Sequence, residues 1–423
     1  MNELIRLLQE DGSLTGYRIA ETKTASYELY FVHRQLETVR TTDTTDTAVT
    51  VYIDHDGKTG DSTFRVYASM GPDEIRRKIR LAASRALLVH NEPYPLPEPG
   101  TLHEVLPSNM ADEDLKTLAL RTADAVFAAD SGEGLSLNAT EVFLYREQLR
   151  VVNSRGTDKT QIKTRGMIET IPTFTEGDTS VELYEAYHFT SLDPALITAE
   201  IRGRMEEVLL RHRAQKPQTP LTANVALRPH EIRELMHQLT GDLSYAAVYT
   251  QSSLHKKGDV LQTGSGDRLN VTRCGRLPGS AASALFDEDG VSLTDTELIR
   301  GGKVVGNFGS HRFATYLHEP ETGALPCVRL APGTLTAQEL ESAPYLECVS
   351  MSGLQVDLYN DYIGGEIRLA YLHEGGKITP LTGITMSAKL SAVLNDLRLS
   401  DTQTVQGSYA GPDRMLLHGI TLM

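Results

Sequence analysis

Between residues 91 and 100 the chain reads Asn-Glu-Pro-Tyr-Pro-Leu-Pro-Glu-Pro-Gly. Four prolines in ten residues remove four backbone donors, so the stretch is neither helix nor interior strand. It predicts an extended boundary segment. A second break, Gln215-Lys-Pro-Gln-Thr-Pro-Leu221, does the same farther on. Together the breaks divide 423 residues into units 1–100, 101–217 and 218–423, in keeping with ordinary domain sizes.

The first two units share a plan. Glu28–Val39 aligns without a gap on Glu141–Val152, with identities at Glu28/Glu141, Gln35/Gln148, Leu36/Leu149 and Val39/Val152. Both segments carry the β-branched and aromatic residues of strands. Further strands are expected at 48–54, 63–68, 166–174 and 181–189. Each unit then ends in an amphipathic helix, over 72–90 with Ile75, Ile79 and Ala83 on one face, and over 193–211 with Ile197, Ile201 and Met205. Another helix, 112–129, precedes the second set of strands, and a short one covers 1–10. The third unit is richer in strands, at 222–227, 324–330 and 415–422, with a helix at 387–397. Gly301-Gly302 and Gly375-Gly376 sit where tight hairpins need positive φ. The predicted fold is α+β: two repeated small sheet-plus-helix units, then a β-rich, mainly antiparallel C-terminal domain.

A net charge of −15 opposes direct contact with nucleic acid, which demands clustered Lys and Arg. No apolar run is long enough to span a membrane, and residues 1–10 lack the features of a secretory signal. The expected location is cytoplasmic. Cys274, Cys327 and Cys348 are isolated and odd in number, so no disulfide framework or zinc knuckle is expected.

The segment Arg228-Pro-His-Glu-Ile-Arg-Glu-Leu-Met-His-Gln-Leu-Thr-Gly-Asp242 carries the functional question. Pro229 suits a first helical position, and Ile232, Leu235, Met236 and Leu239 form an apolar stripe. His237-Gln238 then stands where a zinc protease would place His-Glu, and Asp242 where it would place a second His. A glutamine amide cannot take a proton from water, and aspartate is a harder donor than imidazole. His230, Glu234 and His237 share neighbouring turns, but a solvated first turn accounts for them. Asp287-Glu288-Asp289 reads as a solvated turn without calcium-loop spacing. His311 and His318 read as surface or interface residues.

The order of motifs over nearly the whole chain resembles the TldD/PmbA family, also called the TldD/TldE or modulator-of-gyrase family. The resemblance rests on Phe286-Asp-Glu-Asp-Gly290 followed by Leu298–Gly306, on Val152-Asn-Ser-Arg-Gly156, and on Gly383-Ile-Thr385 before the last helix. Active members of that family are similar to zinc metallopeptidases, with His-Glu-x-x-x-His on the helix after the strand-proline turn and a cysteine ligand near the C-terminus. The resemblance puts the first His on His237, the base on Gln238 and the second ligand on Asp242. The stretch 402–411, Thr-Gln-Thr-Val-Gln-Gly-Ser-Tyr-Ala-Gly, holds no cysteine.

The resemblance therefore implies a TldE/PmbA-like subunit with no catalytic residue and no cofactor of its own, His237 and Asp242 being the remaining metal candidates. Zinc would belong to a TldD-like partner subunit. The expected partners are that subunit or a second copy of the chain, together with an extended peptide. Two alternatives stay open: a divergent metal-dependent peptidase acting as a homodimer, and a non-enzymatic interaction protein of the gyrase-modulator type.

Overall fold

A computed structural model describes every residue except Ser131 and Thr219. The first two units build one sheet. Its strands are β1 (Gly16–Val32), β2 (Gln35–His55), β3 (Lys58–Val66), β4 (Gly100–Val105), β5 (Leu135–Asn153), β6 (Thr157–Glu176), β7 (Thr179–Glu182) and β8 (Glu185–Phe189), in the order β3-β2-β1-β5-β6-β4, with β7 and β8 also on β6. Pairing is antiparallel except between β4 and β6. The helices are α1 (Asn2–Glu10), α2 (Pro72–Ala86), α3 (Leu115–Phe127) and α4 (Pro194–His212).

The repeated plan is present: helix, antiparallel strands, helix, twice over. The gapless alignment is not. Glu28–Val39 runs over the β1–β2 hairpin, turning at His33 and Arg34, whereas Glu141–Val152 lies wholly inside β5. Glu28 in fact sits opposite Phe143, because β1 pairs antiparallel with β5 from Arg18↔Asn153 to Val32↔Ala139. Sequence likeness between neighbouring strands of one sheet looked like likeness between equivalent ones.

Local chemistry fixes the helices. Pro72 at the first position and Asp73 and Glu74 in the first turn start α2. Asp114 caps α3 by accepting from Thr117 N at 2.9 Å, and Asp193 caps α4 by accepting from Ala195 N and Leu196 N. One face of the sheet buries Leu7, Ile19, Val49, Ile75 and Ile79 with α1 and α2. The same face buries Leu118, Leu144, Ile168, Ile197 and Ile201 with α3 and α4.

The opposite face meets the C-terminal half. Lys159 on β6 is buried, and its ammonium donates to Gly290 O at 2.7 Å and Ser292 Oγ at 2.9 Å. Gln161 accepts from Leu285 N at 2.7 Å, and Arg18 pairs with Asp289. The acidic run is therefore a clamp and not a free turn. Asp287 accepts from Asp289 N, Val291 N and Ala324 N, each at 3.0 Å. Gly290 is obligatory: φ is +85°, and a Cβ would stand 3.0 Å from Thr157 and 3.2 Å from Val151.

In the C-terminal half, Leu221–Leu227, Tyr345–Met351, Tyr362–Glu374, Ile384–Lys389 and Met415–Leu422 pair in a closed ring. A second sheet orders Lys303–Val304, Thr296–Arg300, Val271–Cys274, Cys327–Leu330, Tyr409–Pro412 and Gln403–Gln406. Pairing is mainly antiparallel, with Leu221–Leu227 on Tyr345–Met351 and Cys327–Leu330 on Tyr409–Pro412 the parallel exceptions. Both glycine pairs form the expected hairpins, with φ of +58° and +75° at Gly301-Gly302 and +58° and +78° at Gly375-Gly376. The ring and second sheet share one core with α5 (Pro229–Gly241), through Ile232, Leu235, Met236 and Leu239.

Candidate functional site

The helix α5 starts at an ionic junction. Arg228, its N-cap residue, donates Nε to Glu347 at 2.9 Å and Nη1 to Glu207 on α4 at 2.7 Å. Glu347 also accepts from Arg414 at 2.8 Å and His373 at 3.1 Å; burial pushes its carboxyl up, but Arg228, Arg414 and the His373 hydrogen bond together hold it below the usual range. The residue before Pro229 is thus pinned to both halves of the molecule.

From that anchor α5 carries Arg233, Glu234 and His237, all half-buried. The half-buried His237 has both nitrogens engaged. Arg273 Nη1 donates to Nδ1 at 2.9 Å, and Nε2 lies 3.0 Å from Ser408 Oγ. A guanidinium can only donate. Nδ1 is therefore the acceptor, the ring proton sits on Nε2, and Nε2 donates to the serine. Burial, then Arg273, then Arg233 push His237 down to about 4.

Arg273 comes from the second sheet and is buried. Its Nη2 donates to Leu325 O at 2.6 Å, its guanidinium carbon stands 4.9 Å from the centre of the Phe308 ring, and its Nε has no partner among the described residues. Burial lowers it to about 10, and the groups that oppose this are the thiols Cys327 and Cys274.

The other predicted positions part company with His237. Gln238 is exposed. Asp242 is buried and ties down a loop, accepting from Leu254 N at 2.7 Å, His255 N at 3.1 Å and His255 Nδ1 at 2.9 Å. His230 is exposed beside Glu231, and Glu234 pairs with Arg233, so neither joins His237. Among the described residues no group of three or more His, Cys, Asp or Glu could hold a metal ion. A zinc ion at either His237 nitrogen would displace Arg273 or Ser408 and stand beside an unneutralised guanidinium, so these residues do not fit zinc. His311 is an interface residue, reaching Pro95 O at 2.5 Å and Glu321, while His318 ends its helix in the left-handed conformation.

The His237–Ser408 contact resembles a nucleophile–base pair but has the opposite polarity. A base must accept the serine proton. Here Nε2 already carries one, because Arg273 occupies Nδ1.

Across from α5 lies the helix-free face of the sheet, bearing Tyr145, Glu147, Lys163, Arg165, Glu169 and His188. Arg165 donates to Glu147 at 2.7 Å and lies 4.2 Å from the centre of the Tyr145 ring. Burial, Arg165 and Arg233 all hold His188 below its ordinary value. Sequence reasoning missed Arg273, Ser408, Arg233 and Arg165. Ser408 comes from the stretch 402–411 that had been read for its missing cysteine. The other three carry no local signal.

The architecture defines an α+β scaffold in which an open sheet faces a helix of metallopeptidase form, with a guanidinium beside its first histidine. Residues 220–423 match the family described as PmbA/TldA metallopeptidase C-terminal domain, so the C-terminal half of the chain carries a domain of that family. No curated protein matches the sequence. Among solved structures the fold is similar to TldE from Thermococcus kodakarensis, with a TM-score of 0.82 at 15% identity over 100% of this chain and 99% of that one. It is also similar to gyrase-modulator homologues from Thermotoga maritima and Bacteroides thetaiotaomicron. Each has a TM-score of 0.80 at 16% identity over 100% of this chain, and over 99% and 97% of theirs.

Proposed function

We propose that this chain is a non-catalytic, TldE-like subunit of a cytoplasmic peptidase assembly. It would bind extended peptide and leave hydrolysis to a zinc-bearing TldD-like partner. The observation that carries this reading is the 2.9 Å contact from Arg273 to His237 Nδ1. It puts a permanent cation beside the first ligand position, and Gln238 supplies no base. The test is to purify the chain alone and with a TldD-like partner, then measure zinc and peptide cleavage. The expected results are no stoichiometric zinc and no cleavage by the lone chain, with both present in the mixture. Zinc bound one-to-one and lost in His237→Ala, or chelator-sensitive cleavage by the lone chain, would overturn it.

The names of the structural neighbours favour a second reading, an interaction protein of the gyrase-modulator type. The net charge of −15 suits mimicry of nucleic acid better than contact with it. Recovery of a topoisomerase, with no TldD-like chain, on affinity purification would favour that reading.

A further inference from the structure

We infer that the surface around Ser408 is a carboxylate-binding subsite for the peptide, held by Ser408 and Arg233 above the buried charge of Arg273. The inference rests on the peptide-binding reading above and names the group the site recognises.

The hydrogen-bond chain runs one way. Arg273 donates to His237, and His237 donates to Ser408. The serine oxygen is thereby an acceptor within the protein, and its own proton has no acceptor among the described residues, so it is free to point outward. Arg233 is similarly half-used. Its Nε and Nη2 go to Glu234 Oε1 at 3.3 and 2.9 Å, while its Nη1 has no acceptor among the described residues. That Nη1 lies 3.0 Å from where a Cβ on Gly407 would stand, at the neighbour of Ser408. An unused guanidinium donor thus reaches the Gly407 turn that carries the unused Ser408 hydroxyl.

The charge beneath them is unbalanced. Arg273 is 8% exposed, with no carboxylate partner among the described residues. A buried unpaired cation is costly, and an anion brought close relieves that cost. On the helix-free face of the N-terminal sheet, Arg165 and Lys163 share the carboxylate of Glu147, at 2.7 and 3.7 Å. With Arg233 and Arg273, cations outnumber carboxylates here, the reverse of a chain whose net charge is −15. Glu169 limits the excess from farther along the sheet. A planar carboxylate matches paired hydroxyl and guanidinium donors, and such charge-assisted bonds are the strong ones.

The carboxylate could be a peptide C-terminus or an acidic side chain, and the test separates them. Three fluorescein-labelled peptides share one neutral sequence: one with a free C-terminus, one amidated with an internal glutamate, and one amidated without it. Fluorescence anisotropy with the full chain should show the neutral amide binding at least about tenfold more weakly than one of the two acids. The acid that binds identifies the source. Arg233→Gln and Ser408→Ala should each remove that preference while leaving the weak neutral binding in place. Arg273→Met should do the same, and the two surface variants decide the matter if it fails to fold. Equal affinity for all three peptides would overturn the subsite and leave the peptide-binding reading standing. So would a preference unchanged in Arg233→Gln and Ser408→Ala. Binding of none would overturn both.

Discussion

The two eight-stranded sheets of this molecule solve the strand-edge problem in opposite ways. The C-terminal half closes five strands on themselves, so the ring has no edge. The N-terminal half leaves its sheet open: β3 pairs with β2 only from Thr47 onward, and residues Gln35–Asp46 of β2 bond to β1 alone. This free edge is lined by exposed Leu36 and Val39, interrupted by Glu37, Arg40, Asp43 and Asp46. Packed against the ring, the second sheet and its last hairpin bring Arg273 and Ser408 to one histidine from distant segments. The open half offers surface. The comparison teaches that the fixed hydrogen-bond chain belongs to the framework and the polar wall facing it to the part with room to adapt.

The contrast can be broken hardest at the junction. Glu347→Ala would leave Arg228, Arg414 and His373 without their shared carboxylate, and a loss of about 3–5 kcal/mol is expected in urea denaturation. Because Arg228 also holds Glu207 on α4, exchange protection should fall in both halves. Leu235→Ala, in the common core of α5, should cost about 3 kcal/mol, with faster hydrogen exchange confined to the C-terminal half. An equal loss in the open sheet would show that the two halves do not open separately.

A third effect depends on pH. His237 is depressed to about 4 in the folded chain, so between its unfolded value and that pH the unfolded state binds the extra proton. Stability should therefore fall as pH drops from about 6.5 to 4, by at most about 3 kcal/mol. His237→Asn should flatten that slope in denaturation curves taken across the window, and an unchanged slope would place the titration elsewhere. Gly290→Ala should cost about 1–2 kcal/mol by forcing a side chain into positive φ against Thr157 and Val151, seen as a lower midpoint and faster exchange at Lys159. Leu36→Lys on the free edge should change stability by less than about 0.5 kcal/mol. A larger loss would mean the edge is covered in solution.

Much of this could be read from the residues. Pro72 and Pro229 mark helix starts that the structure keeps, and the paired glycines mark real hairpins. The stripe Ile232, Leu235, Met236 and Leu239 is the buried face it appeared to be. What was not legible depends on pairing between distant segments. Joining two repeated units into one sheet requires β1 to find β5, and no local pattern names that partner. Phe286–Gly290 carried the family likeness yet looked like a solvated turn, because its clamp on Lys159 and Arg18 comes from another unit. Arg273 reads as an ordinary strand cation, and only burial 36 positions away from His237 makes it decisive.

The closed ring also sets a timetable for synthesis. Its first strand, Leu221–Leu227, pairs on one side with Met415–Leu422, which pairs in turn with Ile384–Lys389. The ring therefore stays open until Leu422 has emerged from the ribosome. The N-terminal sheet has all its strands by Phe189 and can fold while translation continues. For that interval the apolar stripe of α5 lacks its cover. A nascent chain stalled before residue 415 should present the apolar surface that chaperones bind.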